Sequence, residues 1–174
     1  MASIYRKAMG TMFGNQVLAL FDWENLLLNV PFIPPDKPNF IVDWFDGLIH
    51  KRIPREIGEI VRVEAFVRED VIFLYGEQLN ELRVHIEACP LVWTKDRKGR
   101  VNTTDQKLIE EGMELIDLLP KLTHLCVGSG DRDFTSLVRF AKRKGLKFIL
   151  VAGSKRSRSP RMEKLADLKY FIGE

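Results

Sequence analysis

Val17 to Phe21 is an unbroken apolar run that stops abruptly at Asp22, the pattern of a strand covered on both faces. Further short runs read as strands at Glu59 to Val67, Leu91 to Thr94, Thr123 to Gly128, Leu146 to Ala152 and Lys169 to Ile172. Helical spacing separates them. Phe40, Ile41, Trp44, Phe45, Leu48 and Ile49 predict a helix over Asn39 to Arg52, with Pro54 just past its end. Leu79, Leu82 and Ile86 predict a second over Glu77 to Cys89, closed by Pro90. A long third helix runs from a cap at Asn102 or Thr104 to Pro120, and a fourth from Phe134 to Lys144, ended by Gly145. Pro31, Pro34, Pro35 and Pro38 predict an extended loop over residues 26–38. Residues 1–14 carry no periodicity and read as a flexible start, leaving 15–174 as one domain. Alternating strands and helices predict a three-layer α/β/α sandwich, its largely parallel central sheet built of five to six strands with right-handed crossovers.

Composition narrows the class. With 174 residues, 45% of them hydrophobic, the chain can bury one real core. Cys89 and Cys126 lie in apolar surroundings without metal-ligand spacing, which predicts buried thiols in a reducing compartment, the cytoplasm. No apolar stretch approaches the roughly 20 residues that span a bilayer. The net charge of +3 is unevenly spread: Phe134 to Met162 holds nine Lys or Arg and no acid, so the rest of the chain is net acidic. A basic surface beside an acidic pocket suits a polyanion held by its backbone.

The acidic pocket is predicted from topology. Asp22 ends the first strand, Asp131 and Asp133 follow the Thr123 to Gly128 strand, and Asp105 opens the long helix. Aspartates at the carboxyl ends of parallel strands share one rim, and carboxylates converging there repel unless a hard divalent cation, Mg²⁺ or Mn²⁺, neutralises them. Simpler roles compete: Asp22 and Asp131 suit strand-ending turns, and Asp133 stands where the helix from Phe134 wants an N-cap. Lys155-Arg-Ser-Arg-Ser-Pro-Arg161 follows the Leu146 to Ala152 strand toward the same rim, making Lys155, Arg156, Arg158 and Arg161 candidate RNA contacts. Lys95, Arg97, Lys98 and Arg100 are candidates on the opposite side. His50, His85 and His124 are scattered and form no zinc or triad pattern.

Phe21-Asp-Trp-Glu-Asn-Leu26, Asp105 at a helix start, and Gly128-Ser-Gly-Asp-Arg-Asp-Phe134 together resemble the NYN domain family of PIN-like nucleases, as does the closing Leu165-Ala-Asp167 before Tyr170-Phe-Ile172. The resemblance covers most of the chain and implies a PIN-like fold and a metal-dependent ribonuclease. It places the metal pocket on Asp22, Asp105, Asp131 and Asp133 and matches Asn25 to the family's pocket asparagine; beside these, Ser129 is read as supporting the loop. Two departures stand out. Trp23 replaces a common glycine, with bulk to narrow the pocket or a ring to stack a base. Glu111 occupies a further acidic position, yet six residues along an ideal helix turn it about 120° from Asp105.

Other readings share the architecture. A dinucleotide-binding loop is suggested by Gly128-Ser-Gly130, but Asp133 stands where its third glycine belongs, and carboxylates repel a pyrophosphate. An aspartyl-nucleophile phosphotransferase would carry Asp-x-Asp after the first strand, where this chain has Asp22-Trp-Glu24. An RNA-binding adaptor that keeps the pocket but not the activity is the principal alternative. The expected partner is RNA and not a membrane; the sequence does not fix whether the chain is a monomer or a homodimer.

Overall fold

The computed structural model describes residues 14–30, 36, 40–93, 100–154 and 158–172, and of Arg100 the backbone. The expected residue 1–14 segment therefore lies outside the described residues except for Gly14, as do Lys95, Arg97, Lys98, Lys155 and Arg156. Strands β1 (Gln16–Asp22), β2 (Glu59–Arg68), β3 (His85–Cys89), β6 (His124–Gly128), β7 (Lys147–Ala152) and β8 (Leu168–Phe171) form one sheet in the order β3-β2-β1-β6-β7-β8. Every pairing in it is parallel. The chain steps outward from β1 through β2 to β3, then restarts at β6 on the other side of β1 and steps outward through β7 to β8. The order thus reverses between β1 and β6, the place where an open parallel sheet leaves a crevice at its carboxyl edge.

Strand alternation sorts side chains onto two faces. Val17, Ala19 and Phe21 pack with Phe45, Leu48, Ile53 and Leu79 on one side. That layer contains α1 (Trp23–Leu28), α2 (Phe40–Gly47), a wider π turn over Leu48–Arg52, α3 (Ile53–Glu56) and α4 (Ile72–Glu81). Leu18 and Leu20 pack on the other side with Leu108, Ile116, Phe134 and Leu137. Here lie α5 (Thr104–Leu118), a 3₁₀ turn at Arg132–Phe134, α6 (Thr135–Arg143) and α7 (Pro160–Leu165). Tight packing at the switch point requires Gly128: a Cβ there would stand 2.0 Å from Phe21 Cδ1 and 2.8 Å from Leu26 Cδ1.

Several elements differ from the sequence expectation. The predicted helix over Glu77 to Cys89 is two elements, because α4 ends at Glu81, Arg83 takes a positive φ of 55°, and His85–Cys89 pairs with β2 as an edge strand. Leu79, Leu82 and Ile86 fit a helical period by accident of that junction. The run from Leu91 is no sheet member; β4 (Leu91–Trp93) pairs antiparallel with β5 (Arg100–Asn102) as a separate ribbon. The expected loop begins later than Leu26, since α1 continues to Leu28. Pro54 does not stop its helix, because the π turn precedes it and Pro54 falls in the first turn of α3, where no amide donor is needed. Helix α7 is hidden in a basic, serine-rich stretch; Ser159 caps it by accepting from Arg161 N, and Pro160 opens it.

Candidate metal and RNA site

Asp22 is the last residue of β1 and the N-cap of α1, its Oδ1 accepting from Asn25 N at 3.2 Å. The turn buries it to 6% exposure between two cores. Burial is the chief reason its carboxyl is pushed up to about 7; Asp105, Glu24 and Asp131 push the same way, and only the Asn25 amide opposes them. Among the described residues, no basic side chain joins these influences.

Asp131 is placed by the loop after β6. Ser129 is fully buried and its Oγ accepts from Asp131 N at 3.2 Å, while Asp131 Oδ1 accepts from Asp133 N at 3.1 Å and caps the 3₁₀ turn. The capping role expected for Asp133 thus falls to Asp131, and Asp133 lies inside the turn at 60% side-chain exposure. Asp105 sits in the first turn of α5, whose start is fixed by Asn102 Oδ1 accepting from Thr104 N at 3.0 Å and from Thr104 Oγ1 at 2.6 Å. Its carboxyl is held above the ordinary range, first by burial and then by Asp131 and Asp133. Asp105 thus feels Asp131 and Asp133, and Asp22 feels Asp105 and Asp131. Among the described residues, however, no three His, Cys, Asp or Glu side chains are drawn into a ready coordination cage.

Three other sequence candidates are placed elsewhere. Trp23 is 1% exposed and packs against Phe45 with ring centroids 4.8 Å apart, so it is a core residue and neither narrows the pocket nor stacks a base. Glu111 faces Glu64, Glu87, Lys107 and Arg62, and burial followed by the two glutamates raises its carboxyl. It belongs to a separate charged cluster in which Arg62 Nη2 lies 2.6 Å from the fully buried Glu64 and Lys107 pairs with Glu87. Arg158 is 20% exposed; its Nε lies 2.8 Å from Glu163 Oε2 and its guanidinium covers the Phe171 ring at 5.3 Å, so it is built into the wall. Arg161 is exposed on α7. Arg100 lies opposite Trp93 in the ribbon register.

Sequence reasoning overlooks two contributors. Glu24 accepts from Arg68 N at 3.1 Å and pairs with Arg68 Nε at 3.5 Å, tying α1 to the end of β2 while adding charge beside Asp22. Asn29, the C-cap of α1, donates through Nδ2 to Asn25 O at 2.7 Å and to Asn25 Oδ1 at 3.3 Å. Its spacing of four from Asn25 is the available signal, since such a pair meets on one helix face. Asn25, Asn29 and Asp131 line an open cleft of about 490 Å³ with Gly130, Arg132 and the Arg158–Pro160 segment. A second cleft of about 490 Å³ runs by Ile49, Pro54, Ile60 and Arg83 along the half of β2 that pairs with β1 but not with β3, far along the strand from Asp22, and Glu59 is the one acid in its lining among the described residues.

A family model for the NYN domain matches residues 22–172, from Asp22 through the last strand. The chain belongs to the NYN domain family. NYN domains are in general nucleases, and NYN and PIN-like nucleases generally use divalent metals. A crystal structure of a protein of unknown function from Vibrio parahaemolyticus shares the fold, with TM-score 0.63 and 17% identity over 92% of this chain and 94% of that one. MurG from Acinetobacter baumannii aligns at TM-score 0.47 and 10% identity, over 89% of this chain and 40% of that one. A search of curated proteins gives no significant match. Among the described residues, no helix of this NYN domain is long and apolar enough to cross a membrane. The residues present fit the family's chemistry in kind: Asp22, Asp105, Asp131 and Asp133 offer carboxylate oxygens, and no basic side chain of the described residues offsets the charge of the buried Asp22.

Proposed function

We propose that this NYN domain is a divalent-metal-dependent ribonuclease that hydrolyses RNA phosphodiester bonds at the acidic pocket. The observation that carries the reading is Asp22, buried at a strand end, raised to about 7, and surrounded by Asp105, Glu24 and Asp131. Placing an ionisable group there costs stability, which is expected of a site built for a ligand and unexpected of a plain cap. Asp22 and Asp131 would hold Mg²⁺ or Mn²⁺ most directly, with Asp105 and Asp133 bound directly or through water. When bound, the cation supplies an activated water and neutralises charge on the phosphoryl oxygens and the leaving oxygen.

The chain's own groups divide the remaining work. Asp22 Oδ1 is engaged by Asn25 N, which fixes the carboxylate plane and leaves Oδ2 for the pocket. Asp105, held above the ordinary carboxylate range, takes up a proton more readily than a solvated acid. Arg132 and Arg161, both exposed, stand beside the rim where a polyanion would run. Lys155, Arg156, Lys95, Arg97, Lys98 and Arg100 are further RNA contacts proposed from the sequence alone.

Incubating labelled single-stranded and structured RNA with Mn²⁺ or Mg²⁺, beside EDTA and Asp22→Asn, tests the reading. Cleavage is expected only by wild type with metal. If every RNA stays uncut by wild type over long incubation while still being bound, the chain is an RNA-binding adaptor and the nuclease reading is lost.

A further inference from the structure

The cleft next to the carboxylates has a built polar face that the metal chemistry leaves unused. Asn29 Nδ2 lies 2.7 Å from the main-chain oxygen of Asn25, an atom that can only accept, so the group there is the NH₂. The same NH₂ also reaches the Asn25 side chain at 3.3 Å, so the Asn25 atom facing it must be Oδ1. The orientation of the Asn25 amide follows: its own NH₂ points away from Asn29, and no acceptor among the described residues takes it. Asn29 is itself fixed. Its main-chain N–H donates to Leu26 O and Leu27 O, and Gly153 presses on it so closely that a Cβ there would lie 2.5 Å from Asn29 C.

The rest of the cleft matches a polar, anionic guest. Arg132 is 78% exposed and only loosely paired with Asp133 at 3.8 Å, so it can swing to an incoming oxyanion at little cost. Arg158 forms a fixed wall, and Ser159 N, bonded to Gly130 O at 2.7 Å, ties that wall to the Asp131 loop. A volume of about 490 Å³ is that of a small-ligand site, and Asn25 and Asp131 place it against the acidic pocket.

We infer that this cleft seats the ribose-phosphate of the RNA nucleotide next to the scissile bond, held by the Asn25 NH₂ and Arg132, with Asn29 as the positioning residue that aims the Asn25 amide. An amide NH₂ cannot ligate a cation, so the group that Asn25 turns away from Asn29 serves the phosphate and not the metal. The ligand's identity rests on the nuclease reading, while the aiming of the amide stands apart from it.

Asn29→Asp is the decisive variant. It keeps the size of the side chain but presents oxygens to Asn25 O and Oδ1, so the Asn25 amide turns over and shows Oδ1 to the phosphate. Binding of a short single-stranded RNA in EDTA is expected to weaken roughly ten- to hundredfold, with a matching rise in KM and a smaller change in kcat. The Mn²⁺ concentration that raises the melting temperature half-way should stay where it is. Asn29→Ala should lie between the two. Should both variants unfold, the wild-type Asn25 side-chain amide resonances decide: they shift on adding adenosine 5′-monophosphate if the cleft is the seat. Unchanged RNA affinity and KM in a folded Asn29→Asp, or unmoved resonances, overturn the inference while wild-type cleavage keeps the nuclease reading alive. The reverse result, no cleavage but RNA binding that depends on Asn29, would remove the nuclease reading and leave the seat.

Discussion

Asp22→Asn in the absence of metal is the sharpest probe of whether Asp22 is a ligand or a cap. Asn accepts the Asn25 N–H as well as Asp does, so the cap survives and only the ionisable group is removed. A carboxyl with an ordinary value of 3.8 when unfolded and about 7 when folded favours the native state only while protonated. The penalty on the wild type is therefore absent below pH 3.8, grows as the unfolded chain ionises, and is complete above the folded value of about 7. A separation of this size corresponds to about 4 kcal/mol at pH 8 and somewhat under half of that at pH 5. Urea unfolding in EDTA at pH 5, 6, 7 and 8 should thus show Asp22→Asn gaining on wild type by about 2.5 kcal/mol across the series. Mn²⁺ should then stabilise wild type strongly and the variant weakly. A variant whose stability matches wild type at every pH would refute the reasoning and make Asp22 a structural cap.

Other expectations follow from the same geometry. His124, pushed down to about 4 mainly by burial, opposes Asp22: its folded form resists protonation, so stability is intact above 6.5 and falls by about 3 kcal/mol as the pH drops through 4, checked by an NMR titration beside acid unfolding. Gly128→Ala should lower stability by roughly 1–3 kcal/mol in thermal melts, because a Cβ 2.0 Å from Phe21 Cδ1 forces the switch point apart. Glu111→Gln should leave metal-dependent cleavage within about twofold of wild type, since Glu111 answers to Glu64 and Glu87 and not to the aspartates.

Much of the fold and the core of the site are legible in the amino-acid sequence. The strands β1, β6 and β7 are continuous apolar runs, and continuity is what burial on both faces of a parallel sheet writes into a sequence. Asp22 and Asp131 can be placed on one rim because Asp22 ends one such run and Asp131 comes three residues after another. Edge elements are harder. In β3, His85 and Glu87 face a charged cluster at the sheet margin, so its alternation is broken and the helical spacing of the preceding Leu79 and Leu82 carries over it. Trp23 misleads for a different reason: one residue past Asp22, α1 has already begun and turns the ring onto Phe45, a direction that depends on the cap and not on the residue type. Asn29 leaves only a faint mark in the sequence, its spacing of four from Asn25, because its contact is with another amide and not with a charged group.

Capping and chemistry are not rival explanations for these aspartates. Asp22 caps α1 and Asp131 caps the 3₁₀ turn, each with one oxygen on a main-chain amide. That bond holds each carboxylate on the rim of the reversal between β1 and β6, and in the proposed reading the second oxygen would meet the cation. The two roles separate by substitution: Asn keeps the accepted bond and loses the charge, whereas Ala loses both. A structural cap therefore predicts that Asn resembles wild type and Ala alone is destabilised by about 1 kcal/mol. A ligand predicts that Asn is the more stable protein without metal and the weaker binder of Mn²⁺ with it. Asp131, more open to solvent than Asp22, should show the metal effect with much less of the stability gain, because desolvation and not only like charge sets the size of that gain.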